Sequence, residues 1–155
     1  MTHTRRRSFF FALLSIFLAA CAFTLWGYIW YATLLDDVWQ NLISKSEAEL
    51  IVLAEMRGNM QTLFTHLISG VQATALYLLI HLSHTRSLSK YLGISLIAGG
   101  MIAAPVLGNS VLFAGTPPLL WVLDTAHFVL GYLGMASIIW AVQTLTTPPP
   151  SQQRA

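Results

Sequence analysis

Residues 8 to 35 read SFFFALLSIFLAACAFTLWGYIWYATLL, a run without Asp, Glu, Lys or Arg that lies between Arg5, Arg6 and Arg7 on one side and Asp36 and Asp37 on the other. A bilayer's hydrocarbon core is about 30 Å thick and takes about 20 apolar residues of helix. The run therefore crosses a membrane once. Three more uncharged stretches follow, at 58–85, 91–123 and 125–153, each long enough for one helix and none comfortably holding two. The predicted cores are 9–31, 61–82, 92–113 and 124–145. The apolar runs are continuous and lack a two-residue alternation, which excludes a strand-built barrel. The fold class is all-α: a polytopic integral membrane protein of four transmembrane helices.

Composition agrees. The chain of 155 residues is 55% hydrophobic and 9% charged, with a mean hydropathy of +0.65, whereas soluble domains carry about 25% charged residues. One cysteine cannot form an internal disulfide, and a formal charge of +2 leaves no broad basic face for nucleic acid.

Orientation follows from short loops that retain Lys and Arg on the cytoplasmic side. Arg5, Arg6, Arg7, Arg86, Lys90 and Arg154 share one side, opposite Lys45, Arg57 and every acidic residue: Asp36, Asp37, Glu47, Glu49, Glu55 and Asp124. Both termini are therefore expected in the cytoplasm and the protein in a bacterial inner membrane. Residues 1–8 are read as a cytoplasmic N-terminus, 9–147 as one four-helix domain and 148–155 as a disordered tail. The outer loop at 36–59 contains a capping box at Ser46 and Glu49, which predicts a short surface helix. Trp26, Tyr28, Trp30, Tyr31, Trp39 and Trp121 read as an aromatic belt at the outer interface.

Leu18, Ala19, Ala20 and Cys21 also resemble a lipoprotein cleavage box, which would make Cys21 a lipidation site. Cleavage would leave 22–35, too short to span. The plainer alternative makes Cys21 a small apolar residue within helix one.

Ionisable groups in hydrocarbon cost about 2.5–3.5 kcal/mol at mid-helix, so those present lie shallow or serve a purpose. The topology puts His66, Asn109, Asp124 and His127 near one outer level. Asp124 and His127, three apart, could hydrogen-bond with each other. Three readings follow. The groups cap helices and satisfy backbone; or they line an outward-facing pocket for a proton, a metal ion or a small polar ligand; or His66 and His127 ligate haem b as a bis-imidazole pair. No cofactor is expected under the first two readings unless the pocket holds a metal. His81 and His84 read as interfacial residues near lipid headgroups. Gly93, Ile97, Gly100 and Ala104 form a mostly small stripe, as do Gly131, Gly134 and Ser137, and either could pack helices within one chain or pair copies into a homo-oligomer. Pro105 is expected to kink helix three.

Trp30 and Tyr31 with Trp39 beyond, then Pro105, Asn109, Phe113 and Gly115, then Asp124 and His127, resemble a family of uncharacterised bacterial membrane proteins defined as a domain of unknown function. The resemblance spans residues 24–142 and departs at Leu35, Asp36, Asp37 and Val38. It implies a four-helix membrane bundle and supplies no catalytic residues. With no nucleophile–base motif or phosphate loop visible, the expected role is a binding or transport-accessory bundle, in contact with the lipid bilayer and not with nucleic acid.

Overall fold

The computed structural model describes residues 3–43 and 46–146; the tail read at 148–155 lies outside the described residues. Helix α1 (His3–Ile29) passes into a π-helical turn (Trp30–Leu34), then α2 (Asp36–Leu42) and α3 (Glu47–Leu82). Helices α4 (Leu88–Leu96) and α5 (Ala104–Ala114) are joined by a π-helical segment (Ile97–Ala103) into one rod, and α6 (Pro118–Thr146) closes the chain. Four segments are long and apolar enough to cross a membrane: Phe9–Leu34, Thr62–Leu82, Leu88–Ala114 and Pro118–Leu145.

Local chemistry explains where these helices begin, bend and stop. Ser46 accepts a hydrogen bond from the Glu49 backbone and Glu49 accepts one from the Ser46 backbone, which satisfies two of the amides left over at the start of α3. Gly58, at φ 42° and ψ −137°, breaks α3 into an outer arm and the membrane-crossing part; that conformation is open to glycine and strained for other residues. Gly115 ends α5 at φ 69°, and Pro117 and Pro118 follow, so the chain turns where no helical hydrogen bond can continue. The distortion expected at Pro105 is spread over the preceding π-helical segment, which lies just upstream of the residue that cannot donate to Met101.

Helices α1 and α6 form the central pair. α3 packs on α1, and the α4–α5 rod packs on α6, so α3 and the rod lie on opposite flanks and meet little. Glycine sets both α6 contacts. A Cβ on Gly131 would overlap the Phe23 ring, and one on Gly99 would fall 3.0 Å from the Val129 backbone. Gly93, Gly100 and Gly134 meet nothing within 4 Å, so close approach within the chain uses Gly99 and Gly131 and leaves most of the small-residue stripes open.

The interior is narrow: Ala19, Ala73, Leu76, Ile80, Met135, Ala136 and Ile139 are buried, while residues such as Phe113 and Leu145 are more than four-fifths exposed. In water so much outward apolar surface would aggregate; against lipid it is the solvent-facing side. At the end of the bundle away from α2, the buried Tyr91 donates to Gln143 and Trp140 donates to the Arg86 carbonyl at 3.3 Å.

The glycine contact gives a direct test. Gly131→Ala is expected to lower stability by about 1–3 kcal/mol through overpacking, because Phe23 is itself held among His127, Phe128 and Tyr132 and cannot swing away. Gly134→Ala should leave the unfolding temperature of the detergent-purified protein unchanged or slightly raised. Thermal unfolding followed by tryptophan fluorescence reads both.

Candidate functional site

At the α2 end of the bundle, α1 presents Phe23, Thr24, Gly27, Tyr28 and Tyr31 toward α3, at the spacing of one helical face. α3 answers with Gly58, Thr62, Thr65, His66 and Ser69, and α6 contributes His127. Together they line an open cleft of about 490 Å³, within the roughly 300–1,000 Å³ usual for ligand pockets. At its base Thr24 donates to Ser69 at 3.0 Å, joining α1 to α3 beneath the cleft.

His127 is the centre of this arrangement. It is 5% exposed and its ring lies 4.9 Å from Tyr31, 5.2 Å from Phe23, 5.3 Å from Phe128 and 6.3 Å from Trp30, centroid to centroid. Trp26 donates its indole N–H to the His127 carbonyl at 3.1 Å. The imidazole itself differs: both ring nitrogens are buried and neither has a hydrogen-bond partner among the described residues. A buried unsatisfied polar group costs about 1–3 kcal/mol, and such groups are rare enough that each calls for a cause. On the α1 side Nε2 faces Gly27, where a Cβ would sit at 3.4 Å. With no side chain at Gly27, α1 comes close against that buried nitrogen.

His66 stands on the opposite wall and is exposed. Its Nδ1 lies 2.7 Å from the Thr62 carbonyl. A carbonyl only accepts, so Nδ1 carries the proton and Nε2 of the neutral ring keeps the lone pair.

Asp124 is half-buried and does not bond His127. Its Oδ1 accepts from the Tyr31 hydroxyl at 2.7 Å, which corrects the expected Asp124–His127 hydrogen bond. The physical reason is helical spacing: Tyr31 falls four residues after Gly27 on the face that meets α6, which brings its ring within 4.9 Å of His127 and 5.8 Å of Trp39 on α2 and its hydroxyl to the carboxylate. Asn109 is exposed on α5, across the α1–α6 pair from α3, and does not line the cleft. His66 and His127 thus share one cavity, Asp124 stands behind it through Tyr31, and Asn109 is separate. Cys21 is exposed in the middle of α1.

Sequence reasoning missed Tyr31, Gly27, Thr24 and Ser69. Trp26, Trp30, Tyr31 and Trp121 read as interfacial rings, yet each is half-buried and turned into the bundle; Trp121 donates to the Ala104 carbonyl at 2.8 Å beside Gly108. The available signal was spacing: Phe23, Gly27 and Tyr31 fall at four-residue intervals.

Among the described residues no three His, Cys, Asp or Glu side chains converge. A metal ion would find at most the two imidazoles there. Removing the Tyr31 hydroxyl (Tyr31→Phe) or the carboxylate (Asp124→Ala) should each destabilise the fold. In a double-mutant cycle of unfolding free energies the pair should lose about 1–2 kcal/mol less than the sum of the two; additive losses would break the assignment.

A family model described as a protein of unknown function (DUF1761) matches residues 14–140. No curated protein and no solved structure matches the chain.

Proposed function

We propose a binding role for this chain, which belongs to the DUF1761 family of proteins of unknown function: it is a multi-pass membrane bundle that holds a small ligand in the cleft between α1, α3 and α6. The observation that carries the reading is His127, buried in a cage of rings at the wall of that cleft with both imidazole nitrogens unpartnered among the described residues. A ligand with a hydroxyl or carbonyl head, seated over Gly27, would supply the partner. His66 on the facing wall and the Thr24, Thr62, Thr65 and Ser69 side chains on the lining supply further donors and acceptors.

Phenol, a neutral hydroxyl probe of head size, tests this. In full-length protein isotope-labelled at its histidine nitrogens and held in bilayers, the His127 ring signals are expected to shift saturably with phenol. Gly27→Ala should remove the response, since it places a methyl 3.4 Å from Nε2 while improving helix propensity by about 1 kcal/mol. A wild-type protein whose His127 signals ignore phenol would end the reading.

The common cavity of His66 and His127 supports a second reading, haem b held between two imidazoles. A Soret band in purified protein that both His66→Ala and His127→Ala abolish would carry it, and a featureless spectrum after haem addition removes it.

The basic residues support cytoplasmic termini in a bacterial inner membrane, with the cleft at the outer level. Topology reporters fused at residue 44 and at residue 155 should then give opposite signals.

A further inference from the structure

We infer that the ligand is a neutral lipid amphiphile, its hydroxyl or carbonyl head over Gly27 beside His127 and its single apolar chain in a groove between α1 and α3. The inference rests on the binding reading above and adds the ligand's class and pose.

A second cavity, about 800 Å³, runs along α1 and α3 from Thr24 and His66 down to Leu13 and Leu78. Its walls include Phe17, Leu67 and Val71, and apart from Thr24, His66 and Thr74 they are apolar or cysteine. Thr24 and His66 line both cavities, so the apolar groove continues the wall of the polar cleft, with the Thr24–Ser69 hydrogen bond spanning α1 and α3 where the two meet. That continuity describes an amphiphile: hydrogen-bonding chemistry at one end, a channel for hydrocarbon at the other. Gly70 leaves the groove floor open, with nothing within 4 Å of the Cβ it lacks.

The charge pattern sets the class of head. Among the described residues neither lining contains Lys, Arg, Asp or Glu. Among the described residues a phosphate or carboxylate head would meet no fixed cation on either lining, and an unpaired charge taken out of water is expensive. A neutral head meets what is present: imidazole nitrogens and hydroxyls. The energetics also divide the work. A chain leaving lipid for the groove exchanges one apolar environment for another and gains little, so affinity comes from the head's hydrogen bonds and the groove sets direction.

A long-chain alcohol carrying a diazirine in mid-chain, added to full-length protein in phosphatidylcholine nanodiscs, tests the pose. Photolysis should label Phe17, Leu67 and Val71 saturably, with unlabelled long-chain alcohol competing and the matching carboxylate competing poorly. Gly27→Ala should cut saturable labelling about tenfold, the loss of one good hydrogen bond. Val71→Trp, at a position 70% exposed on the outside of the bundle, should block groove labelling while leaving the phenol response of His127 intact. Labelling no greater in the groove than at the equally outward Val106 and Leu112 of α5, or labelling indifferent to Gly27→Ala, overturns the inference. Stronger competition by the carboxylate overturns the neutral head. If phenol still shifts His127 while the groove stays unlabelled, the chain placement fails and the binding reading stands; if phenol is also silent, both fail.

Discussion

Phe23 lies against Gly131 so closely that any side chain on α6 at that point would overlap the ring. The consequences run outward from there. With the two helices this near, residues one turn toward the α2 end of α6 fall beneath the last turns of α1, and His127 is the residue at that place. The Phe23 ring, seated in the notch at Gly131, then forms one wall of the imidazole's cage, with Tyr31 and Trp30 from the next turns of α1 forming the others. Trp26 reinforces the same junction from the side by donating to the His127 carbonyl. Packing glycine and buried imidazole are one turn apart on one helix, so the feature that holds the central pair together is also the feature that buries the candidate site.

The flank helices follow from what the central pair leaves over. In lipid no hydrophobic gain draws helices together, so association relies on close packing and hydrogen bonds. α3 obtains these from α1, including the Thr24–Ser69 bond, and the α4–α5 rod obtains them from α6 through Gly99 and Trp121. The two flanks lean chiefly on different partners, and α3 meets the rod mainly through α4, so a polar group on α5 does not join one on α3. Asn109 illustrates this: it is exposed on α5 and absent from the cleft that α1, α3 and α6 line.

The distinction between depth and direction separates what could be read from the sequence and what could not. Four spans were legible because charge in hydrocarbon is costly, and four long apolar runs without any charge suit a bilayer and little else. Capping at Ser46, the stop at Gly115 through Pro118 and the common level of His66 and His127 were legible for similar local reasons. Which way each side chain turns was not, since the sequence gives no angle between helices. Tyr31 shows the difficulty most clearly. An aromatic residue at a helix end usually marks the interface, but this one lies on the Phe23–Gly27 face and donates inward to Asp124. The small-residue stripes were visible as patterns, yet the helices meet at Gly99 and Gly131 and pass by Gly93, Gly100 and Gly134.

An unpartnered buried imidazole costs about 1–3 kcal/mol, and a fold keeps one when its surroundings return more than that. Aromatic contacts of the kind His127 makes contribute about 0.5–1.5 kcal/mol each beyond simple burial, and four rings lie within 6.3 Å of it. Those contacts hold the ring in place whether or not its nitrogens are satisfied. In the proposed binding reading, a partner reaching Nε2 would recover the missing hydrogen bond without first having to order a side chain already packed among four rings. A glycine at position 27, poor for an α-helix, is what lets the His127 ring lie this close to α1, where a Cβ would stand 3.4 Å from Nε2.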